Sequence, residues 1–192
     1  MRVVAMIGIG ADEDGERRVI GTGPVRVVLQ SRRWCRQGPA GPRGGQTPSM
    51  TKPQVGDSAR RSRTISQRDI ELFTEITGDR NPIHYDDELA RASRFGGLVV
   101  QGGVTSGLLN ALVAEQLPGP GSVFLEVSWR FLAPVRPGDE ITAEATVLEA
   151  REDKPVTRLA TLITNQEGTI VLDGTAVVWR DPAVAARAES SS

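Results

Sequence analysis

The 192-residue chain has only one histidine and one cysteine, and its 23 basic side chains are nearly matched by 24 acidic ones. Each scarcity excludes a class of protein. A lone cysteine cannot close an internal disulfide, which fits a reducing cytosol. One histidine and one cysteine do not furnish the usual ligand set of a zinc site, so no metal is expected. A net charge of −1 gives no electrostatic footing for nucleic acid or an anionic membrane as partner. No apolar run approaches the roughly 20 residues of a membrane-spanning helix. The expectation is a cytoplasmic protein of one domain, or one domain plus a tail.

What is present divides at about residue 57. The first part is rich in glycine and proline (Gly38-Pro39, Gly41-Pro42, Gly44-Gly45), holds arginine but no lysine before Lys52, and shows little helical periodicity. Val3–Ile9 and Val25–Leu29 are short apolar runs that can pair as strands. The acidic cluster Asp12-Glu13-Asp14 argues against a transit peptide, and the apolar runs are too short for a signal peptide. Gly8-Ile9-Gly10 lacks the third glycine and the following helix of a nucleotide-binding loop. Met50-Thr51-Lys52-Pro53 resembles a natural beginning. Residues 1–57 are therefore expected to lie outside the fold, with 1–49 a disordered extension or the product of an upstream start codon.

Residues 58–182 carry the organised pattern. A strand is predicted over Ala59–Ile65. Ser66, with Asp69 three residues on, reads as an N-cap and capping box for a helix Gln67–Thr77, with Ile70, Phe73 and Ile76 on one face. Gly78 suits its C-terminal cap. After a short helix or turn over Tyr85–Ala92, a second helix is predicted at about Val104–Leu117. It is apolar or small on most sides and therefore buried. Four strands follow. In the first, Val123, Leu125, Val127, Trp129 and Phe131 alternate with polar residues and Phe124. In the second, Ile141, Ala143, Ala145 and Val147 do the same. The third spans Val156–Thr164 and the fourth Thr169–Arg180. Short turns between them predict an antiparallel meander, and residues 183–192 read as a disordered tail. A sheet with one long apolar helix across it is an α+β hot-dog outline: an antiparallel β-sheet wrapped around a central helix, with a helical overhang. Exposed edges of such a unit predict a homodimer.

The single histidine lies in Gly78-Asp79-Arg80-Asn81-Pro82-Ile83-His84. Pro82 fixes its own φ and biases Asn81 towards an extended conformation, so the first helix cannot run on. Asn81 can hold a turn through its side chain. Such a bend can set a carboxylate and an imidazole side by side, a pair able to position and activate water. The competing reading is a helix-ending loop with an incidental histidine.

These residues resemble the hydratase motif of the MaoC-like hot-dog hydratases, in particular (R)-specific enoyl-CoA hydratases. That motif runs aromatic, Gly-Asp-x-Asn-Pro-aliphatic-His, acid-proline, then a small-residue helix. Here it reads Phe73, Gly78 to His84, Asp86 and Ala90, with Asp87 where proline is frequent. Gln116-Leu117-Pro118-Gly119, Pro137-Gly138-Asp139-Glu140 and Arg151-Glu152-Asp153-Lys154-Pro155 are also similar to the family. Before the central helix the family commonly has His-Gly, and this chain has Gln101-Gly102.

The resemblance implies reversible syn addition of water to a trans-2-enoyl-CoA, giving a (3R)-hydroxyacyl-CoA, with no cofactor. It implies Asp79 and His84 as the reacting pair, Asn81 as turn support and the Gly102 N–H as donor to the thioester oxygen. A plain helix start at Gly102-Gly103 is the alternative. It also implies Asn110 and Val113 as lining of an acyl pocket, although Val113 reads nearly as well as plain core. Two other functions compete: dehydration of a (3R)-hydroxyacyl thioester on acyl carrier protein, and a non-catalytic acyl-thioester-binding subunit, against which the intact Asp79/His84 pair argues.

Overall fold

A computed structural model of the protein describes residues 52–190, together with the backbone of 10–11 and 17–18. The chain divides into two units, Met1–Gly44 and Gly45–Ser192. Of the first, an antiparallel pair of two-residue strands, Gly10–Ala11 with Arg17–Arg18, is described. The apolar runs 3–9 and 25–29, and the expectation of disorder over 1–49, lie outside the described residues.

In the second unit, strand β1 (Ser58–Thr64) leads into helix α1 (Gln67–Thr77). Ser66 and Asp69 form the capping box in full: the Ser66 side chain accepts from the Asp69 N–H, and the Asp69 carboxylate accepts from the Ser66 N–H at 2.8 Å. Gly78 closes the helix with φ 76°, a left-handed value that a side chain makes costly. A single turn of 3₁₀ helix, Pro82–His84, and helix α2 (Asp87–Ala92) complete the overhang. Asp86, exposed to solvent, caps α2 by accepting from the Leu89 N–H.

Helix α3 (Gly102–Glu115) is the centre of this second unit. Leu108, Leu109, Leu112 and Val113 are at most 5 % exposed. Each such fully buried side chain contributes about 1.5–3 kcal/mol relative to exposure. The helix packs against β1 and against β2 (Ser122–Phe131) and β3 (Glu140–Ala150). With β4 (Val156–Asn165) and β5 (Ile170–Arg180), these form one antiparallel sheet of order β1-β3-β4-β5-β2. Contact with both edge strands and a strand between them means the sheet curves around the helix, the hot-dog arrangement.

The predicted four-strand meander is corrected. β3, β4 and β5 form a meander, but β2 leaves for the far edge and pairs with β5, while β1 takes the place beside β3. The reason lies in the connection 132–139. It contains two prolines and sinks Val135 to 3 % exposure, so it crosses the end of the sheet instead of folding back as a hairpin. A second correction concerns β2 itself. Its register shifts between Phe124 and Glu126, so Phe124 and Trp129, five residues apart, share a face and meet edge to face at 5.7 Å. Val123, Leu125 and Val127, read as buried by strict alternation, are 45–60 % exposed. In β3, where no shift interrupts Ile141 to Val147, all four apolar residues are buried as the alternation predicts.

The tail also differs. Asp181 accepts hydrogen bonds from the Ala183 and Val184 N–H groups and caps helix α4 (Pro182–Glu189), where the sequence reading has disorder. Pro182 at the first helical position needs no donor partner, a start signal the sequence carries. No helix among the described residues is long and apolar enough to cross a membrane.

Candidate active site

The overhang delivers Asp79 and His84 to one point. His84 Nε2 stands 3.5 Å from Asp79 Oδ2, with the histidine side chain 8 % exposed and the aspartate 38 %. The bend works as its residue types require. The Asn81 N–H donates to Asp79 Oδ1 at 3.1 Å, and Asn81 Oδ1 accepts from the Ile83 N–H as N-cap of the 3₁₀ turn. Asn81 thus holds the turn and one carboxylate oxygen at once.

The ring of His84 is fixed from behind. Nδ1 lies 2.6 Å from the Val99 carbonyl oxygen, which can only accept, so Nδ1 carries the proton. In the neutral ring Nε2 then presents a lone pair towards Asp79 Oδ2. Two acceptors set this way can hold one water molecule by both its hydrogens. Its free lone pairs then face away from the pair, which is the orientation a nucleophile needs.

Beside His84 lies a cavity of about 420 Å³. Its walls include Ile83, Val99, Val100, Phe131 and Leu132, with Gly102 and Thr105 at the start of α3. The wall is braced by Arg136, which donates to the carbonyls of Phe95 and Leu98 at 2.6 and 3.1 Å. A backbone N–H in the first turn of a helix has no intrahelical partner and sits at the positive end of the dipole, which suits Gly102 to a developing negative charge. The two glycines are tightly flanked. A Cβ on Gly102 would stand 3.1 Å from Phe131 Cζ, and one on Gly103 only 2.1 Å from Phe73 Cζ. The Phe73 ring leaves no room for a side chain at Gly103, and the Phe131 ring stands close over Gly102.

The two residues proposed for the acyl pocket fall elsewhere. Val113 is 2 % exposed within the core, and Asn110 is exposed and lines a groove of about 390 Å³ between α1 and α3. Neither lines the His84 cavity. The position of Asn110 on α3 faces that groove and not the sheet. What the sequence reading missed is on the opposite wall: Phe131 and Leu132, at the β2 end, and the Val99 carbonyl. Nothing in a linear pattern ties the end of β2 to the loop after α1, since the crossover of 132–139 brings them together.

Comparison with known proteins gives the family of the chain. The MaoC like domain matches residues 50–167. The chain is 39% identical over 125 residues to the (R)-specific enoyl-CoA hydratase of Aeromonas caviae, covering 65% of this chain and 93% of that protein. It is 40% identical over 126 residues to the 3-hydroxybutyryl-CoA dehydratase of Methylorubrum extorquens, covering 65% and 79%. The solved structure of the (R)-hydratase from A. caviae matches with a TM-score of 0.64 and 38% identity, over 67% of this chain and 97% of that one. With a family match across more than half of its length and relatives aligned over most of theirs, this chain belongs to the MaoC-like domain family and shares its hot-dog fold.

Proposed function

We propose that the protein is an (R)-specific enoyl-CoA hydratase, adding water reversibly to a trans-2-enoyl-CoA to give a (3R)-hydroxyacyl-CoA. The observation that carries this is the 3.5 Å approach of Asp79 Oδ2 to a His84 Nε2 whose tautomer is set by Val99, beside an apolar-walled cavity.

Hydration faces two barriers: water is a weak nucleophile, and negative charge builds on the thioester oxygen as the Cβ–O bond forms. Asp79 takes one proton from the water, while His84 Nε2 accepts a hydrogen bond from the other hydrogen, which stays on the oxygen, and so fixes the attacking atom. The hydroxyl oxygen bonds to Cβ, and the proton held by the pair returns to Cα, so H and OH add and the site ends as it began. A positioned acid or base of this kind contributes about 10²–10⁴-fold. The Gly102 N–H donates to the thioester oxygen as charge develops, an interaction whose loss typically costs about 10²–10³-fold. The carbons of the acyl chain lie along Ile83, Val99 and Phe131.

The working unit in this proposal is a homodimer. Both edges of the sheet are open, but they differ. β1 is studded with Arg60, Arg61 and Arg63, the charged guard that blunts an edge. β2 exposes Val123, Leu125 and Val127 beside unpaired backbone, which suits pairing with a second copy.

The test is hydration of crotonyl-CoA followed by loss of absorbance of the conjugated thioester, with the product resolved by chiral chromatography. The (3R) isomer is expected. No turnover, or the (3S) product, would overturn the proposal. Parallel rates on the acyl-carrier-protein thioester assign the carrier.

A further inference from the structure

Thr74 is 6 % exposed inside α1, and its hydroxyl meets three groups. Oγ1 donates to the Asp79 carbonyl at 2.7 Å. It accepts from Gln101 Nε2 at 3.1 Å, and the Tyr85 hydroxyl lies in direct contact with it. A threonine hydroxyl has one proton and two lone pairs. The backbone carbonyl can only accept, so the one proton goes to Asp79 and Gln101 donates. The Tyr85 hydroxyl has one proton for two neighbouring acceptors, Thr74 Oγ1 and the Ile70 carbonyl at 3.4 Å. The Ile70 carbonyl confirms the amide orientation, since Gln101 Nε2 also donates to it at 3.3 Å, while Oε1 is buried without a partner among the described residues. An amide nitrogen can serve two acceptors because it has two hydrogens, which one ring nitrogen of a histidine cannot do.

The three partners are not arbitrary. One is residue 79 itself. Tyr85 directly follows His84, and Gln101 directly precedes Gly102. One buried hydroxyl thus ties together the three backbone segments that carry the proposed base, imidazole and oxyanion donor. We infer that Thr74 is a positioning residue for the reaction: its hydroxyl sets the relative placement of Asp79, His84 and Gly102 without touching substrate. This rests on the reading of those residues given above.

The test compares Thr74→Val, which keeps the shape and removes the hydroxyl, with Thr74→Ser, which keeps the hydroxyl. With crotonyl-CoA, T74V is expected to lower kcat about ten- to a hundredfold, the order expected of ~1 Å misplacement, with KM little changed. T74S is expected to recover most of that loss. A threonine that only supports the fold would instead lower the thermal midpoint and leave kcat per folded molecule unchanged. Equal losses in T74V and T74S, or wild-type kcat in T74V, would overturn the inference. Should T74V not fold, Tyr85→Phe and Gln101→Leu replace it. Each should lower kcat, and the double variant should lose less than the product of the two, because both act through one hydroxyl. Full multiplicativity would count against the network. Crystal structures of wild type and the variants supply a readout that needs no substrate. The Asp79–His84 separation should open when the hydroxyl or its donors are removed and stay closed in T74S. An unmoved pair in T74V refutes the inference even if the wild type proves to act on another thioester, whereas an inactive wild type with a displaced pair in T74V refutes the function alone.

Discussion

At the scale of single residues, the site depends on backbone groups around Asp79 and His84. Val99 supplies only a carbonyl oxygen, yet it decides which nitrogen of His84 faces the carboxylate. Gly102 is the other such position. In Gly102→Ala the backbone N–H remains, but the new methyl stands 3.1–3.2 Å from the Phe131 ring and narrows the cavity. Phe131 is 56 % exposed and can yield, so the fold should survive. The expected result is a rise in KM for crotonyl-CoA of about tenfold, the order associated with one methylene of misfit, with the thermal midpoint nearly unchanged. Steady-state kinetics with a melting curve on the same sample separates the two effects.

At the scale of elements, α1 matters most because its end sets the position of Asp79. Its limits were legible in the sequence because cap, periodicity and glycine stop agree: Ser66, Asp69 and Gly78 fall where predicted. Its inward face was read less well. Ile76 is 82 % exposed, and the buried stripe runs from Ile70 to Thr74, four residues on. A threonine on that stripe gives no hydrophobic signal, so its buried hydroxyl was invisible to a pattern of apolar spacing. The motif Asp79 to His84 was legible because proline and asparagine fix local geometry, whereas the cavity wall from β2 depends on a crossover that local geometry does not encode.

The α1 cap also makes a pH prediction. Burial raises the Asp69 carboxyl pKa, but hydrogen bonds from the Ser66 backbone and side chain, with the charge of Arg63, outweigh it and leave the group below the usual carboxylate value. A folded pKa below the unfolded one means stabilisation is fully present above about pH 4 and is lost as pH falls through the lower folded value. Asp69→Asn should therefore melt below wild type at about pH 7 by an amount of order 1 kcal/mol, and the gap should close on acidification. Melting curves across that range check it; a gap independent of pH would contradict it.

At the scale of the whole molecule, β2 has two sides, one packed closely on β5 and one at the free edge of the sheet. Where β2 crosses β5, a Cβ on Gly174 would lie 2.0 Å from the Ser128 carbonyl oxygen, a backbone atom that cannot turn aside. Gly174→Ala should cost about 1–3 kcal/mol in urea unfolding, because one strand must move to admit it. Along the free edge of β2, Val127→Lys places a charge among the exposed apolar residues without touching the core. Sedimentation velocity should give a dimer for the wild type and a shift to monomer for this variant. A monomeric wild type at micromolar concentration would contradict the proposed assembly.

The central claim is that Asp79 and His84 act on one water molecule. Steady-state hydration of crotonyl-CoA by Asp79→Asn and His84→Ala, each shown to be folded by its melting curve, tests this most directly. Each is expected to lower kcat by at least about a hundredfold. Turnover near the wild-type rate in either variant would contradict it.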